Sequence, residues 1–501
     1  MILGDVVDAL RDLAVDTPSA GSNRNAPISA IAYDSRRVVP GAVFVALKGL
    51  RADGGAFADQ AAQRGAAAIV SESPRNGAPS IPWIAVRDAR LALALLADRF
   101  FDHPSRRMPV IGVTGTNGKT TTSYLLASIL DAAGLRAGIL GTVAYRIGGE
   151  DREASRTTPE APDVQQLLSE MLEQGCRSAV MEVSSHALSL KRVDGMRFAA
   201  GVFSNLTRDH LDFHEDMEAY FAAKRRLFEM LPADAPGVIN MDDPRGPALV
   251  EISKRPVTYA INAAADVTPG PIDMTLSGLR FDVKTPQGAV RITSKLVGRP
   301  NVYNILAATT TAVSLDVPIA AIESGVSGLS GVPGRFEVVS GSGDDVTVVV
   351  DYAHTDDALR NLLETARPLS AKRLITVFGC GGDRDRSKRP LMGMVAARLS
   401  DVVVITSDNP RSEDPARIIE EIERGIPAGS QASSRAPQVE SLVDRAAAID
   451  RAVSIAAAGD VVLVAGKGHE KYQQIGDRVL PFDDGEVARA ALAKRRSRAG
   501  S

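Results

Sequence analysis

The first part of the chain alternates short apolar runs with alanine-rich stretches. Leu3, Val6 and Leu10 recur at helical spacing, which predicts a helix near the start. Short β-type runs follow, separated by helical stretches, at 43–47, 68–70 and 83–86. This alternation predicts a small α/β domain over residues 1–105.

From Pro109 onward, continuous apolar runs are separated by glycine-rich turns and helical stretches. These runs lie at 110–113, 179–183, 200–203 and 238–240. Fully apolar strands separated by helices are typical of a parallel sheet that is covered on both faces. We predict a central domain over residues 106–332, with an antiparallel annex at 255–297 where apolar and polar residues alternate.

A third group of apolar runs follows the glycine-proline turn at 331–334. They lie at 346–350, 374–378, 402–406 and 461–464. The pattern predicts a C-terminal, doubly wound, Rossmann-like domain over residues 333–501. The whole is therefore predicted to be an α/β protein of three domains, since 501 residues exceed what one ordinary core holds.

Composition narrows the class of protein. The net charge of -3 gives no electrostatic reason to bind nucleic acid, and we expect the basic residues after position 493 to be solvated and disordered. No run approaches the about 18 apolar residues that a membrane span needs. Cys176 and Cys380 are too few for a disulfide framework and indicate a reducing compartment. We expect a cytoplasmic monomer without nucleic-acid or membrane partners.

The strongest local signal directly follows the apolar run at 110–113. Residues 112–122 read G-V-T-G-T-N-G-K-T-T-T, with Val113 where the strict Walker pattern has glycine. Glycines let backbone amides converge on phosphate oxygens, a lysine offers charge to the β- and γ-phosphates, and a threonine hydroxyl can ligate Mg²⁺. We predict an ATP site formed by Gly115, Thr116, Asn117, Gly118, Lys119, Thr120 and Thr121.

Two further residues are candidates for holding a metal near this loop. Glu182 ends the apolar run at 179–183, and a carboxylate at the end of a parallel strand beside a phosphate loop suits Mg²⁺. The alternative is a carboxylate that caps the next helix. The D-H-L-D segment at 209–212 precedes Lys224, which by itself reads as part of a solvated basic helix face.

The T-G-T-N-G-K-T loop, with Gly112 beside it, resembles that of the Mur ligase and folylpolyglutamate synthase superfamily, and the similarity extends over nearly the whole chain. The resemblance implies an ATP-dependent ligase: the γ-phosphoryl group passes to a D-glutamyl carboxylate, and an amine then displaces phosphate from the acyl phosphate. It also implies that Lys224 is carbamylated and helps Thr120, Glu182 and His210 to hold Mg²⁺. Lys119, Glu182, His210 and Lys224 are then the catalytic residues.

Three segments resemble the family's contacts with the rest of ATP. Residues 298–308 match the helix start that places two asparagines, Asn301 and Asn304, near adenine; the alternative is that they only cap the helix. The P-G-R-x-E and D-Y-A-H segments imply that Arg335 and Asp351 reach ATP when the last domain closes. Asp356 stands where the family usually has proline.

The resemblance also implies the first substrate, the UDP-linked muramyl dipeptide of peptidoglycan synthesis, UDP-MurNAc-L-Ala-D-Glu. Y-D-S-R at 33–36 and G-L-R-A-D-G at 49–54 match its uridine-nucleotide site. Arg156 and Leu190 depart from what relatives often carry at those positions. The implied contacts come from Tyr33, Ser35, Leu50, Arg51, Ala52, Thr157, Thr158, Ser184 and Arg192.

The D-N-P-R segment at 408–411 resembles that of family members selective for meso-2,6-diaminopimelate, in which the arginine pairs with the distal carboxylate of the amino acid. The implied residues are Arg384, Asp408, Asn409, Pro410, Arg411, Gly466 and Glu470. Alternatives are an L-lysine-adding tripeptide ligase and a folylpolyglutamate synthase-like ligase. A non-catalytic nucleotide switch is disfavoured because the implied catalytic residues are all present.

Overall fold

The computed structural model describes residues 1–16, 23–49, 53–73, 81–370, 372–427 and 437–499. Leu50, Arg51 and Ala52, implied as uridine-nucleotide contacts, lie outside the described residues. Within the described ranges, every helix is too short or too polar to cross a bilayer.

The first sheet has five strands in the order β1-β5-β4-β3-β2. Strands β2 to β5 run parallel and β1 pairs antiparallel with β5. Its strands are β1 (Ala14–Asp16), β2 (Ala30–Ala32), β3 (Ala42–Ala46), β4 (Ala68–Ser71) and β5 (Trp83–Val86). The helices around it are α1 (Leu3–Ala9), α2 (Ala58–Gln63), α3 (Ala89–Phe100) and α4 (Pro104–Arg107), with 3-10 turns at Ser35–Arg37 and Gly54–Phe57.

The second sheet has eight strands in the order β13-β12-β11-β6-β10-β7-β8-β9, of which only the last two connections in that order are antiparallel. Its strands are β6 (Val110–Thr114), β7 (Ala137–Leu140), β8 (Ala144–Ile147), β9 (Glu150–Glu153), β10 (Ser178–Glu182), β11 (Ala200–Phe203), β12 (Gly237–Asn240) and β13 (Pro256–Tyr259). The helices of this region are α5 (Lys119–Ala132), α6 (Ala161–Glu173), α7 (Ser185–Ser189), α8 (Met217–Glu229), α9 (Gly246–Ile252), α10 (Arg299–Ser314) and α11 (Ile319–Gly328).

Strand β6 occupies the interior of this sheet, and separate hydrophobic clusters lie on the two faces. Val113 packs with Leu125 of α5 on one face, and Val110 packs with Phe198 on the other. Burying each such side chain contributes roughly 1.5–3 kcal/mol. This two-sided burial explains why β6 is apolar from Val110 to Val113, and it fixes the strand from which the phosphate loop leaves.

The predicted annex begins later than expected. Strand β13 was expected in it, but this strand pairs parallel with β12 and extends the second sheet. The annex proper is antiparallel, and the alternating burial along β16 matches its alternating sequence. Its strands are β14 (Thr268–Pro269), β15 (Asp273–Thr275), β16 (Gly278–Thr285) and β17 (Gly288–Ser294).

The last large sheet has six strands in the order β18-β19-β23-β20-β21-β22, parallel except for β18. Its strands, with a separate hairpin β24–β25, are β18 (Glu337–Val338), β19 (Thr347–Asp351), β20 (Leu374–Phe378), β21 (Val402–Thr406), β22 (Gln438–Leu442), β23 (Val461–Ala465), β24 (Tyr472–Ile475) and β25 (Arg478–Pro481). The helices are α12 (Asp356–Ala366), α13 (Lys388–Leu399), α14 (Pro415–Glu423), α15 (Arg445–Ile455) and α16 (Asp484–Ala499), with a 3-10 turn at Arg367–Leu369.

The expectation of a disordered basic tail is wrong. Lys494 and Arg495 belong to α16, where Lys494 pairs with Asp450 at 2.9 Å and Arg495 with Asp345 at 2.7 Å.

The predicted α/β class is confirmed by the parallel sheets. Each sheet lies inside one of the three predicted ranges, while the boundaries at 105 and 332 stay predictions.

Candidate active site

The phosphate loop joins β6 to α5 and has no room for side chains at two of its glycines. Gly115 has φ +148° and Gly118 has φ +87°, conformations that L-residues rarely adopt. A Cβ at Gly115 would lie 1.9 Å from Ser204 Oγ, and one at Gly118 would lie 2.4 Å from Asn304 Oδ1. Backbone and neighbouring side chains therefore both require glycine here.

Lys119 begins α5 and turns back over the loop. Its Nζ donates to the carbonyl of Gly115 at 2.9 Å and to that of Thr116 at 2.7 Å. Burial lowers the pKa of Lys119, and the nearby Glu182 carboxylate opposes that shift. The charge of Lys119 therefore lies at the helix N-terminus, where phosphate binding is favoured.

Residues 204 and 205, which follow β11, hydrogen-bond to the phosphate loop. Ser204 Oγ donates to the Asn117 carbonyl at 2.6 Å, and Asn205 Oδ1 accepts from the Asn117 amide at 2.9 Å. Thr116 is held at 3.1 Å from the Tyr220 hydroxyl. Ser204 and Asn205 are not among the predicted site residues, because only the pairing of β11 with β6 brings them to the loop.

Lys224 is buried, contrary to its reading as part of a solvated basic face. It lies on α8 with 1% exposure, while its neighbour Arg225 is exposed. Its Nζ donates to the carbonyl of Gly115 at 2.8 Å and lies 4.5 Å from the centre of the Tyr220 ring. Burial, reinforced by the charge of Lys119, lowers the pKa of Lys224 well below its usual value, which favours the neutral amine.

Glu182 ends β10 and is 1% exposed. Its two carboxylate oxygens accept from the amide of Thr142 at 2.9 Å and from the Thr142 hydroxyl at 3.0 Å. The next helix, α7, is capped by Ser184, whose Oγ accepts from Ala187 N, so the capping alternative for Glu182 is wrong. Thr142 was missed because it follows β7, far from Glu182 in sequence and close only through strand pairing.

His210 is half-buried, has φ +54°, and lies 3.5 Å from Asp209 through Nε2. No hydrogen bond or ion pair of the described residues joins it to Glu182 or Lys224. Within the described ranges, no three His, Cys, Asp or Glu side chains are grouped closely enough to hold a metal ion. The magnesium site and its four implied ligands therefore stay a prediction.

The two candidate adenine-binding asparagines have structural partners at the start of α10. Asn301 Nδ2 donates to the Val297 carbonyl at 2.8 Å, and Asn304 Nδ2 donates to Asn301 Oδ1 at 2.9 Å. The N-cap of α10 is Gly298, without a side-chain hydrogen bond, so the alternative that these asparagines only cap the helix is wrong. The adenine contact stays a prediction.

Two polar contacts connect the C-terminal range to the phosphate loop. Arg335 Nη2 donates to Thr120 Oγ1 at 3.2 Å, and Asn117 Nδ2 donates to Asp357 Oδ2 at 3.2 Å. Asp351 accepts the Phe336 amide at 2.7 Å, and burial raises the pKa of its carboxyl group. Asp357 was not among the predicted residues; nothing in the sequence indicates its contact with the loop.

The residues implied for the muramyl substrate fall in two places. Tyr33 donates to Asp163 of α6 at 2.6 Å, and Ser35 donates to Gln60 at 2.6 Å. Both lie in the first sheet's domain, and the Tyr33 hydroxyl reaches across to the central one. The contact between Tyr33 and Asp163 therefore holds the two units together at the candidate uridine-nucleotide site.

The remaining implied residues surround the end of β10. Thr158 Oγ1 donates to the Glu182 carbonyl at 2.8 Å and accepts from Ser184 N at 3.1 Å. Thr157 Oγ1 lies 3.0 Å from Thr142 Oγ1. Arg192, which is almost buried, pairs with Glu160 at 2.8 Å. These side chains are thus placed beside the candidate metal carboxylate.

Glu160 also contacts Arg156, one of the two residues that depart from the family pattern. Its Oε1 accepts from Arg156 Nη1 at 3.1 Å as well as pairing with Arg192. Arg156 is 55% exposed, so one face of its guanidinium stays open to solvent. Leu190 is half-buried after α7, and no contact explains its departure.

A cleft of about 400 Å³ opens between the central and C-terminal ranges. Asn409 Nδ2 donates to Glu470 at 2.9 Å, and Arg411, with φ +51°, donates through Nη1 to the Gly382 carbonyl at 2.7 Å. Burial raises the pKa of Glu470. Pro410 lies in the same turn. The cleft is lined by Arg384, Asp408, Asn409, Arg411, Gly466 and Glu470 together with His210, His354 and Lys388.

Comparison with known proteins places this geometry in a family. Residues 113–312 match the Mur ligase middle domain, residues 334–468 the Mur ligase glutamate ligase domain, and residues 27–101 the catalytic domain of the Mur ligase family. A protein of Gloeobacter violaceus named UDP-N-acetylmuramoyl-L-alanyl-D-glutamate--2,6-diaminopimelate ligase is 50% identical, over 95% of this chain and 96% of its own. One of the same name from Solibacter usitatus is 47% identical, over 98% of each.

A solved structure with that enzyme's name in its title is also similar. It has 32% identity and a TM-score of 0.70, and the match covers 99% of each chain. Sequence and structure thus agree over essentially the whole length. The chain belongs to the Mur ligase family.

Proposed function

We propose that the protein is an ATP-dependent ligase that joins meso-2,6-diaminopimelate to the D-glutamyl γ-carboxylate of UDP-MurNAc-L-Ala-D-Glu. One observation carries the proposal: the loop bearing Lys119 and the turn bearing Arg411 belong to units that meet across one cleft, connected by the Arg335–Thr120 contact. The relatives at 47–50% identity carry the name of this activity. The reaction belongs to peptidoglycan synthesis and is assigned to the cytoplasm.

The phosphate loop binds and orients the nucleotide. The amides of Thr116 and Asn117 are bonded to Asn205, so the backbone amides at the start of α5 are the ones offered to the phosphates. Lys119 places its charge at the β- and γ-phosphates. Both steps, phosphoryl transfer to the glutamyl carboxylate and displacement of phosphate by the amine, build negative charge on oxygen. Fixed positive groups at this position therefore lower both barriers.

The donor set fits Mg²⁺, a hard ion that takes oxygen ligands. Glu182 offers a buried carboxylate that Thr142 orients, and Thr120 offers a hydroxyl at the start of α5. Lys224 fits as a carbamate, because its amine is buried beside Gly115 and a carbamate supplies anionic oxygens. The metal would supply charge neutralisation between nucleotide and carboxylate.

The cleft wall then selects the amino acid. Arg411 offers a guanidinium fork to the distal carboxylate, and Glu470 with Asn409 offers acceptor and donor groups to its ammonium and carboxylate. L-lysine has no distal carboxylate, so it would leave the Arg411 fork unpaired. This is the reason to favour diaminopimelate over the lysine-adding alternative.

The test is amino-acid-dependent ADP release by the purified protein with UDP-MurNAc-L-Ala-D-Glu and ATP. We expect turnover with meso-diaminopimelate and at least about 100-fold lower kcat/KM with L-lysine, since a site built to pair a polar group rejects an analogue that lacks it. Equal rates with the two amino acids would refute the selectivity. ADP release that needs neither amino acid nor muramyl substrate would refute the ligase itself.

A further inference from the structure

A buried lysine lies behind the amino-acid wall of the cleft, and the reaction described above does not use it. Lys467 follows β23 and has 0% exposure. Its Nζ donates to Asn409 Oδ1 at 2.8 Å and to the Tyr472 carbonyl at 2.8 Å. Asp408 lies at 3.1 Å and Glu470 at 3.7 Å from the same nitrogen. An ammonium buried in this way requires such partners, so it also fixes where they lie.

Lys467 sets the orientation of the Asn409 side chain. Asn409 Oδ1 accepts from Lys467 Nζ and from the backbone amide of Gln474, the latter at 2.9 Å. The reversed amide would place its NH₂ group against both of these donors. Asn409 Nδ2 is therefore directed to Glu470, to which it donates at 2.9 Å.

The β24–β25 hairpin holds the 408–411 turn from the same side. Gln473 Nε2 donates to the Asp408 carbonyl at 2.8 Å, and the Arg411 amide donates to the Gln474 carbonyl at 3.1 Å. Gly476 N donates in return to the Arg411 carbonyl at 2.7 Å. Arg411 keeps its left-handed backbone, φ +51°, within these contacts. Such a conformation persists only where the surroundings determine it.

We propose that Lys467 is the positioning residue of the amino-acid site. Through Asn409, Asp408 and the backbone of β24, it fixes the turn that presents Arg411 to an amino acid carrying a second, distal carboxylate. Lys467 itself makes no contact with that substrate. The inference rests on the proposed function for its substrate class, and on the contacts above for the positioning.

Replacing Lys467 with methionine removes the ammonium and keeps most of the side-chain volume. We expect the KM for meso-diaminopimelate to rise on the order of 10- to 100-fold, the range set by leaving buried hydrogen-bond partners unpaired. The KM values for ATP and for the muramyl substrate should stay within about twofold, because the phosphate loop and β10 lie outside this network. If Lys467 contributed only to general stability, its replacement would not raise the KM for meso-diaminopimelate selectively over the other two KM values.

Lys471→Met is the matched control. Lys471 lies four residues further on, is 68% exposed and pairs with Asp483 rather than with the turn. All three KM values should equal those of the wild type. A rise in the diaminopimelate KM in this variant as large as that of Lys467→Met would overturn the proposal.

Gln473→Met tests the same network without leaving a buried charge unpaired, so it does not depend on the folding of the lysine variant. It removes the bond from the hairpin to the Asp408 carbonyl. We expect a selective rise of the diaminopimelate KM of about 2- to 10-fold, as for loss of one ordinary hydrogen bond. No change in this KM would count against positioning by the hairpin.

Crystal structures separate this proposal from the proposed function. In Lys467→Met, the Asn409 amide and the Arg411 backbone should be displaced from their wild-type positions. An unchanged turn would overturn the inference even if the wild-type enzyme uses diaminopimelate. A displaced turn would support it even if the wild-type protein proved to prefer another amino acid, which would instead refute the proposed substrate.

Discussion

At the scale of single residues, surroundings rather than sequence neighbours decide what a side chain does. Lys224 and Arg225 are adjacent basic residues on one helix, yet the first is buried at the phosphate loop and the second is exposed. Lys224 and Lys119 both donate to the Gly115 carbonyl. A charged Lys224 would be repelled by Lys119, which favours its neutral amine, whereas a carbamate on Lys224 would attract Lys119.

Lys224→Ala tests this interpretation. We expect turnover to fall on the order of 100- to 1,000-fold, as when a group that stabilises transition-state charge is removed, and added acetate or bicarbonate to restore part of it. Steady-state ADP release is the measurement. Arg225→Ala, which alters only an exposed pair with Glu229, should behave as the wild type. Full activity of Lys224→Ala without either anion would exclude the carbamate.

Arg411→Lys tests recognition of the distal carboxylate. Lysine keeps the charge but loses the fork, so we expect the KM for meso-diaminopimelate to rise on the order of 10- to 100-fold with little change in that for ATP. Competition between diaminopimelate and L-lysine should show reduced discrimination. The control is Arg417→Lys, on an exposed residue of α14. Unchanged discrimination in Arg411→Lys would remove this arginine from the specificity site.

At the scale of elements, one buried arginine, held in an ion pair, contacts the ends of both strands that carry the amino-acid site. Arg445 and Asp484, which begin α15 and α16, pair at 2.6 Å and are both 0% exposed. Arg445 also donates to the Ala465 carbonyl at 3.0 Å and to the Ser407 carbonyl at 3.4 Å. The ends of β21 and β23 are thereby held at one distance, which keeps the 408–411 turn opposite Gly466.

Arg445→Ala should therefore weaken the C-terminal sheet. Leaving Asp484 buried and unpaired costs about 3–5 kcal/mol, whereas Arg451→Ala, which removes an exposed pair with Glu440, costs about 0–1 kcal/mol. Hydrogen exchange of the β21 and β23 amides measures the free energy of local opening. Equal protection of the two variants would contradict the assigned role of the Arg445–Asp484 pair.

The strands that the sequence predicted correctly are those with a continuous apolar run, such as β6 and β21, because both of their faces are buried. Strand β22 was missed, since its residues at the sheet edge are only partly buried and read as polar. The β24–β25 hairpin was missed because it is mostly exposed and has no continuous apolar run. The last residues were misread because their charges are satisfied by partners about 40 to 150 residues away, which no local pattern reveals.

The candidate site likewise contains residues that the sequence indicates and residues that it does not. Residues of the phosphate loop and of the 408–411 turn are contiguous motifs, so the sequence indicates them directly. Thr142 and Lys467 support the site through strand ends and buried contacts. Their roles depend on pairing that brings distant segments together, and the sequence gives no local sign of it.

At the scale of the whole molecule, the three units are joined by contacts of different kinds. Ala94 and Ala97 of α3 pack against Ala161 of α6, so the first unit docks on the second through small apolar side chains as well as the Tyr33–Asp163 hydrogen bond. The C-terminal unit meets the phosphate loop through polar contacts, including that between Asn117 and Asp357. A polar contact of this kind can be broken and remade at modest cost, which suits an interface that must admit ATP and release ADP.

Asp357→Ala tests whether that contact couples the position of the C-terminal unit to catalysis. Loss of one hydrogen bond between the units should lower kcat/KM for ATP about 2- to 10-fold, and small-angle scattering should show a larger radius of gyration because the C-terminal unit separates from the loop more often. Glu364→Gln, an exposed change on the same helix, controls for the loss of an acidic group on α12. If the two variants match in both measurements, the Asn117–Asp357 contact does not hold the units together. Other contacts, such as Arg335–Thr120 and Arg208–Ser387, must then account for their alignment.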